Sequence, residues 1–426
     1  MSLLSKIRKI KPLIRDEGWL GALATIIRWF WGRLTGVPVQ VGAPVEPLPE
    51  PPPPPPPPPR KIDIFQLYAF VEPPAADASA MFQIEAGTMN WVIPSFEIGS
   101  GGHLNIFRMI WGLEKLGFRS RIHIVGECRY PDGETAREVI IKNFVPLAAE
   151  VKIGEETLLP AEFTMATSWM TAYTVRRFAQ TRHKLYFIQD MEPWFTAVGS
   201  EYVFSEATYN FGFTGITAGA WLADLMQEKY GMRAYPFGFS CEHELYHARS
   251  RQSGPRKVFF YARHVTPRRG FELGMLALKR VHERLPDVEF LLAGWDMSAY
   301  EIPFPHVDAG VAPLDDLPGL YAQCDAALVI SLTNLSLLPL EIMACGCPVV
   351  SNRGPNVEWL LKDRDNAVLA DPLPETLAEA LIELLENRSL KEQITRNGLN
   401  FVAGTSWDTE ARKVGGYLES IREERA

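Results

Sequence analysis

Glu341 is the single acidic residue in a long apolar stretch that runs from Leu332 to Val350, LTNLSLLPLEIMACGCPVV. A carboxylate is rarely left among apolar side chains unless it has a partner. Its oxygens could accept hydrogen bonds from a ligand diol such as the hydroxyls of a ribose. A partly exposed position on a helix is the alternative explanation. We interpret Glu341 as a candidate ligand-binding carboxylate.

Three arginines, Arg263, Arg268 and Arg269, lie within seven residues, directly after the apolar residues 258–261. Arginine binds phosphate oxygens in a bidentate manner and stays charged when it loses water. The segment would therefore suit a diphosphate, although taken alone it could also be a solvated loop.

Two acids, Asp190 and Glu192, follow another apolar stretch, residues 184–189. An acid at the end of a strand could orient a hydroxyl or act as a general base. Alternatively, Asp190 caps a helix that follows.

A glycine-rich segment, SFEIGSGGH, ends with Gly101, Gly102 and His103. Glycines allow close backbone approach, and the free N–H groups at a helix start attract anions. The spacing differs from the GxGxxG dinucleotide fingerprint. A tight turn from strand to helix, with His103 simply exposed, explains it equally well. No pair of acids resembling DxD lies at a strand end beside the arginines, so we predict no metal.

The elements that must position these residues alternate between strands and helices from about residue 61. The first series of predicted strands covers residues 90–96, 121–126, 163–167, 184–189 and 213–217. The second covers residues 258–261, 288–293, 326–330 and 348–351. Such alternation predicts parallel sheets covered by helices on both faces, with ligands at the carboxyl ends of the strands. We therefore predict two Rossmann-like α/β domains that face each other across a cleft.

Composition shifts along the chain predict its domain limits. We expect an amphipathic helix in residues 1–35, a proline-rich linker in 36–60, Rossmann-like domains in 61–245 and 246–402, and a C-terminal helix in 403–426 that packs back across the domains. The boundary near residue 245 rests on the polar, irregular chain between residues 241 and 255, which ends in a Gly-Pro pair.

The amino-terminal segment has the pattern of a helix that lies in a membrane interface. Apolar residues recur every three to four positions, tryptophans lie among them, and residues 1–40 hold seven basic and two acidic side chains, a local charge of +5. We predict an anionic membrane surface as the partner of residues 1–35. Docking on the protein's own core is the alternative. Nine consecutive prolines, Pro51–Pro59, would form a stiff spacer of roughly 28 Å or an SH3-type ligand.

The bulk composition excludes several classes of protein. The 426 residues carry a net charge of −8, which disfavours nucleic acid as a partner. Five cysteines are an odd number in a long chain, so a disulfide framework is not expected. No apolar stretch reaches the ~18 residues that would span a bilayer.

The segment LEIMACGCPVV, residues 340–350, resembles the nucleotide-sugar signature of GT-B glycosyltransferases, family four in particular. The order of a glycine loop, a basic loop and a C-terminal helix at Ser406-Trp407-Asp408 is similar too, and the resemblance covers residues 62–424. Four further stretches resemble the WsaF-type rhamnosyltransferases, which build surface glycans: YFIQDMEPW (186–194), GSEY (199–202), YNFGF (209–213) and YARHVTPRRGFEL (261–273).

The resemblance implies the GT-B fold and transfer of a deoxysugar, from dTDP-L-rhamnose, to a glycan or lipid-linked acceptor. Together with the amphipathic residues 1–35, it leads us to predict a cytoplasmic enzyme at the inner face of the cell membrane, with no cofactor besides the nucleotide-sugar donor. Glu341 would bind the donor ribose. The arginines would hold the diphosphate together with the start of the helix predicted at 338–344. The other roles fall on the first domain: Gly101 and Gly102 would let it close on the phosphates or the acceptor, and Asp190, with Glu192 and His103 behind it, would activate the acceptor.

One departure from the family pattern concerns a missing acid. The family usually has two glutamates eight positions apart, and Thr333 stands eight positions before Glu341. Thr333 or Asn334 could bond a sugar hydroxyl but cannot supply a carboxylate, so the stereochemical course stays open. A GT-B-fold sugar-nucleotide epimerase and a non-catalytic nucleotide- or glycan-binding relative are the alternatives.

Overall fold

A computed structural model describes residues 61–73, 76, 78–249 and 254–424. The predicted amphipathic helix and proline linker lie outside the described residues. The chain from Asp63 onward forms one compact unit. It contains two separate parallel sheets, and together they position every candidate site residue.

The first sheet has seven strands in the order β3-β2-β1-β4-β5-β6-β7, all of them parallel. Its strands are β1 (Thr88–Ile93), β2 (Arg119–Ile124), β3 (Glu150–Ile153), β4 (Ala161–Ala166), β5 (Thr181–Ile188), β6 (Thr214–Ala218) and β7 (Ala234–Phe237). Every residue of β1 and β4 is buried, as expected for central strands covered on both faces. The strand order reverses between β1 and β4, where ligands of such sheets bind.

The second sheet has six parallel strands in the order β10-β9-β8-β11-β12-β13. Its strands are β8 (Lys257–Tyr261), β9 (Glu289–Ala293), β10 (His306–Gly310), β11 (Ala326–Val329), β12 (Val349–Asn352) and β13 (Val368–Ala370). The order reverses between β8 and β11. The two Rossmann-like domains predicted from the sequence are confirmed, whereas their limits, including the boundary at residues 245 and 246, stay predictions.

Helices follow most of the strands and supply the covering layers. They are α1 (Ile64–Leu67), α2 (Gly101–Lys115), α3 (Gly133–Asn143), α4 (Trp169–Arg177), α5 (Ser200–Ala207), α6 (Ala220–Tyr230), α7 (Phe271–Arg284), α8 (Leu317–Ala322), α9 (Leu338–Ala344), α10 (Pro355–Glu358), α11 (Pro374–Glu386), α12 (Arg388–Ala403) and α13 (Trp407–Glu423). Within the described ranges, no helix combines the length and the apolar character needed to cross a bilayer.

The last helix, α13, packs on α2 and on β7 of the first sheet. Arg422 near its end forms two hydrogen bonds of 2.8 Å with Glu162, a residue of β4 that is only 1% exposed. Glu162 also accepts a hydrogen bond from the Gly87 N–H at 2.6 Å. These hydrogen bonds attach α13, which follows the second sheet in the sequence, to β4 of the first sheet.

Candidate active site

The candidate residues follow four strands at or beside the two points where strand order reverses. Gly101, Gly102 and His103 begin α2 after β1, whereas Asp190 and Glu192 follow β5. The remaining candidates belong to the second sheet: the three arginines follow β8, and Thr333, Asn334 and Glu341 follow β11. The structure brings one set of them into direct contact, and that set joins the two domains.

Asp190 is the centre of that contact. The Thr333 hydroxyl donates a hydrogen bond to Asp190 Oδ2 at 2.9 Å, and the Asn334 N–H donates to Oδ1 at 2.7 Å. The Met191 N–H also donates to Oδ1 at 2.8 Å. Burial raises the pKa of Asp190, and the charges of Arg269 and Arg268 oppose that effect. A carboxylate from the first domain therefore lies beside Thr333, the position where the sequence pattern lacks a glutamate.

Asn334 anchors the same contact with its side chain. Its Nδ2 donates to the backbone carbonyl oxygens of Gln189 at 2.9 Å and Ala218 at 2.8 Å, which lie at the carboxyl ends of β5 and β6. Its Oδ1 accepts a hydrogen bond from Trp359 Nε1 at 3.0 Å. Because Asn334 is only 1% exposed, the polar contact between the two domains is buried at this residue.

Arg268 and Arg269 line this junction. Arg268 Nε lies 3.7 Å from Asp190 Oδ2, and it is buried without a hydrogen bond from the described residues. The Arg268 guanidinium also lies 4.0 Å from the centre of the Phe195 ring of the first domain. Arg269 donates to the Ser331 hydroxyl at the end of β11. The two side chains concentrate positive charge where the carboxyl ends of β5, β8 and β11 meet.

Arg263 lies farther along the same sheet edge. Its Nε donates to the Thr266 hydroxyl at 3.1 Å, and its Nη1 donates to the Gly294 carbonyl oxygen at 3.2 Å. The guanidinium carbon lies 5.1 Å from the centre of the Trp295 ring. Arg263 thus links the loop after β8 to the loop after β9.

Glu192 is held by groups of the first domain. Its carboxylate accepts hydrogen bonds from the Trp169 N–H at 2.8 Å, at the start of α4, and from the Tyr186 hydroxyl at 2.9 Å. Burial raises the pKa of Glu192 to about 7, although both hydrogen bonds oppose the shift. Both carboxylate oxygens are therefore occupied by hydrogen bonds that organise the loop after β5.

His103 is half-buried, with both ring nitrogens in contact with oxygen atoms. Nε2 lies 3.3 Å from the Pro94 carbonyl oxygen, which can only accept, so Nε2 carries the hydrogen. Nδ1 then accepts from the Ser100 hydroxyl at 2.9 Å. Burial lowers the pKa of His103 to about 4, so the ring is neutral at pH 7. The exposed residues Gly101 and Gly102 precede it at the start of α2.

Glu341, on α9, is half-buried and lies apart from Asp190. Among the described residues, none donates a hydrogen bond to its carboxylate. Burial raises the pKa of Glu341 to about 7, an effect that the positive charge of Arg108 opposes and the negative charge of Glu242 increases. A carboxylate with free acceptor sites beside an arginine can bind ligand hydroxyls.

Sequence reasoning missed Arg108 and Glu242. Arg108, on α2, is buried, and its Nη2 lies 2.7 Å from a carboxylate oxygen of Glu242 in the chain between the two sheets. Its Nε and Nη1 are buried with no described hydrogen-bond partner. The sequence feature that could have identified Arg108 is its place as the single charged residue in an apolar segment of α2, IFRMIWGL.

The described residues contain no group of three or more His, Cys, Asp or Glu side chains that could hold a metal ion. The expectation of no metal stays a prediction. The five cysteines are all free.

Comparison with known proteins identifies relatives of parts of this chain. Residues 256–382 match the family model "WsaF, C-terminal domain". The O-antigen biosynthesis protein RfbC of Myxococcus xanthus is 34% identical over 351 residues, which cover 80% of this chain and 28% of RfbC. The putative glycosyltransferase YtcC of Bacillus subtilis is 26% identical over 178 residues, covering 37% of this chain and 44% of YtcC. The chain thus spans less than half the length of these two relatives.

Solved structures share the arrangement of both sheets. Sucrose-phosphate synthase from Thermosynechococcus elongatus has a TM-score of 0.61 at 12% identity, covering 79% of this chain and 99% of that protein. HepE of Anabaena, solved in complex with UDP and glucose, has a TM-score of 0.58 at 16% identity, covering 78% of this chain and 99% of HepE. Identities this low show the fold alone. The predicted GT-B fold is confirmed, as is the resemblance to WsaF-type GT-B glycosyltransferases.

Proposed function

We propose that this chain, a WsaF-like protein of GT-B fold, is a glycosyltransferase that acts in surface-glycan synthesis. The observation that carries the proposal is the junction of Asp190, Arg268 and Thr333. It combines a carboxylate from one domain with cationic and hydroxyl groups from the other, as transfer between two substrates requires. The names of RfbC and YtcC support the reaction class and the glycan context.

Arg268 and Arg269 would hold the donor diphosphate. Negative charge grows on the phosphate as the glycosyl–phosphate bond breaks, so fixed guanidinium groups stabilise the transition state more than the ground state. Arg268 suits this role because its Nε is buried without a hydrogen bond from the described residues. Glu341, which also lacks a described donor, would accept hydrogen bonds from the donor ribose.

Asp190 would orient the acceptor hydroxyl and accept its proton. Its Oδ2 is bonded to the Thr333 hydroxyl, a neutral donor that an acceptor hydroxyl can replace at little electrostatic cost. Glu192 and His103 suit this step less well, because their described hydrogen-bond donors all belong to the first domain, whereas Asp190 faces the second domain through Thr333. They would support the loop after β5 and the start of α2.

The finer parts of the proposal rest on the resemblance to WsaF-type rhamnosyltransferases. The donor would be dTDP-L-rhamnose, and the acceptor would be a glycan or a lipid-linked sugar. The protein would act at the inner face of the cell membrane, bound there through the basic, amphipathic residues 1–35. Deletion of residues 1–35 should then release the protein from anionic vesicles in a flotation assay, and unchanged flotation would contradict the membrane role.

A transfer assay with purified protein, dTDP-L-rhamnose and a mass-tagged glycan acceptor tests the function. A product heavier by one deoxyhexose is the expected result. Donor turnover without that product would instead indicate an epimerase or a hydrolase. Thermal stabilisation by dTDP without any turnover would indicate a non-catalytic binding protein.

The variant Asp190→Asn tests the role of the carboxylate. It keeps the shape of the side chain but cannot accept a proton, so transfer should fall by about 10²–10⁴-fold while dTDP still binds. Glu192→Gln is the matched control, because it removes a half-buried carboxylate two residues away in the same loop without removing the proposed base. Equal losses in the two variants would refute the assignment to Asp190.

A further inference from the structure

We infer that the nucleobase of the donor stacks on Trp295, a partly exposed aromatic residue beside the arginines. This inference rests on the proposed function, since it assumes a nucleoside diphosphate at Arg268 and Arg269. Trp295 and Tyr300 follow the carboxyl end of β9, and Val311 follows that of β10.

Exposed apolar side chains are concentrated at this edge of the second sheet. Trp295 is 36% exposed, Tyr300 is 42% exposed and Val311 is 70% exposed. Strands β10, β9 and β8 are direct neighbours, so the residues after them lie along one edge. The arginines follow β8 and Glu341 lies on the helix after β11. A nucleoside diphosphate bound at the arginines can therefore extend over β9 and β10.

The loop that carries Trp295 is held in place by backbone hydrogen bonds. The Asp296 carboxylate accepts from the Ser298 N–H and hydroxyl at 2.8 and 2.9 Å. The Asp308 carboxylate accepts from the Met297 N–H at 3.1 Å and from the Gly310 N–H at 2.9 Å. Trp295 is thus presented by an ordered turn, and little conformational entropy would be lost when a ligand binds to it.

Gly294 allows the turn that carries Trp295 to pack closely against Tyr261, at the start of the loop that carries the arginines. Its φ is +123°, and a Cβ atom there would lie 2.7 Å from the Tyr261 ring. Its carbonyl oxygen accepts the hydrogen bond from Arg263, whose guanidinium lies against the Trp295 ring. Arg263 therefore connects the proposed diphosphate site to the proposed base site.

The groups around Trp295 favour a flat, neutral ring. The His264 ring meets Trp295 edge to face at a centroid distance of 6.2 Å, and the Tyr300 ring lies 5.1 Å from His264. The nearest carboxylates, Asp296 and Asp308, are already bonded to backbone N–H groups. Aromatic stacking tolerates any base, because every base has a π-face. Trp295 should therefore contribute to affinity more than to the choice between pyrimidines.

Calorimetric titration of the full chain with dTDP and with inorganic pyrophosphate separates the two halves of the site. Trp295→Ala should weaken dTDP binding by about 5- to 100-fold, the range expected for loss of one stacked base. Pyrophosphate binding should not change. Trp295→Phe should keep most of the dTDP affinity, and Phe65→Ala, which removes an exposed aromatic ring on α1, should change neither titration.

A second readout does not depend on the alanine variant folding. A stacked base quenches indole fluorescence, so dTDP should quench the wild-type protein more strongly than Trp295→Phe. Equal quenching, or an unchanged dTDP affinity in Trp295→Ala, would overturn the inference and leave the proposed function standing. Parallel loss of dTDP and pyrophosphate binding would also overturn it, because Trp295 would then act through the arginine loop. Absence of dTDP binding in the wild-type protein would refute the proposed dTDP-sugar donor, and with it the base site at Trp295.

Discussion

Asp190 and Glu341, the two carboxylates proposed to contact substrates, differ in whether they already accept hydrogen bonds. Asp190 is bonded to Thr333 and to backbone N–H groups, so a substrate must replace an existing hydrogen bond. Glu341 accepts no hydrogen bond from the described residues, so a substrate would satisfy an unmet acceptor. A ligand hydroxyl would give the half-buried Glu341 carboxylate a hydrogen-bond donor, so Glu341 should stabilise a ligand more than it stabilises the empty protein.

Glu341 should make nucleotide binding depend on pH. Its pKa of about 7 means that the carboxylate form grows between pH 6 and 8, so dTDP affinity should rise over that interval. Glu341→Gln should remove the dependence and weaken binding at pH 8. Calorimetric dissociation constants at pH 6, 7 and 8 check this, and a flat profile in the wild-type protein would contradict it.

The same raised pKa has a consequence for folding. Between the ordinary carboxyl pKa of 4.5 and about 7, the unfolded chain has released the proton while the folded chain keeps it. Stability should therefore fall as pH rises through this window and then level off. Glu341→Gln should stabilise the protein at pH 8 relative to wild type, by roughly 1–3 kcal/mol, and should have little effect at pH 4.

Arg108 should lower the pH at which Glu341 loses its proton. Its charge opposes the raised pKa of Glu341, so Arg108→Met should move the midpoint of pH-dependent dTDP binding above 7. Arg108→Lys keeps the charge and should keep the midpoint. Both variants lose some packing against the Trp407 ring, which lies 5.0 Å from the guanidinium. Equal midpoints in all three proteins would show that Arg108 acts through packing alone.

At the scale of elements, the packing of the C-terminal helix α13 is stabilised by the ion pair of its Arg422 with the buried carboxylate of Glu162. Arg422→Met would leave Glu162 charged and buried, so the free energy of unfolding should fall by about 2–3 kcal/mol. Arg233→Met is the matched control, because it breaks the exposed pair with Glu424 near the end of the same helix and should cost less than about 1 kcal/mol. Denaturant titration compares the two; similar losses would contradict the buried-pair argument.

Periodicity predicted the elements that carry strong apolar patterns. The helix at 338–344 has the predicted limits, and the central strands of both sheets lie within a few residues of prediction. The prediction left out the helices α1, α3, α4, α5 and α10 and the edge strands β3, β7, β10 and β13. These strands are short, and three of the four are partly exposed: β10 (HVDAG) has exposed residues along most of its length, whereas β13 is fully buried. Apolar alternation is weak in such strands, because only one of their sides is covered.

The contacts within the site could not be read from the sequence. Asp190 and Thr333 were both singled out, but they are 143 positions apart and belong to different sheets. Each pattern predicted only the sheet edge at which a residue lies. The meeting of two edges depends on how the domains pack, which no local pattern encodes. Arg108 escaped notice for the same reason, since its partners lie outside α2.

At the scale of the whole molecule, the two domains are joined at the site itself. Asn334 bonds to two backbone carbonyl oxygens of the first domain, and Trp359 holds its amide from the second. A GT-B enzyme must bring donor and acceptor together across this boundary. The junction therefore couples the relative position of the domains to the position of Asp190, so a loss of one contact should affect both shape and catalysis.

Asn334→Ala should loosen the two domains and reduce transfer together. It leaves the carbonyl oxygens of Gln189 and Ala218 without their donor, which should cost about 2–4 kcal/mol of stability. Small-angle scattering should show a larger radius of gyration, and the transfer rate should fall. Asn366→Ala removes an equally buried asparagine whose hydrogen bonds, to Lys362 and Leu360, stay within the second domain. It should lower stability without changing the radius. If the two variants gave the same radius, the Asn334 contact would not hold the domains together, because loss of stability alone would explain both.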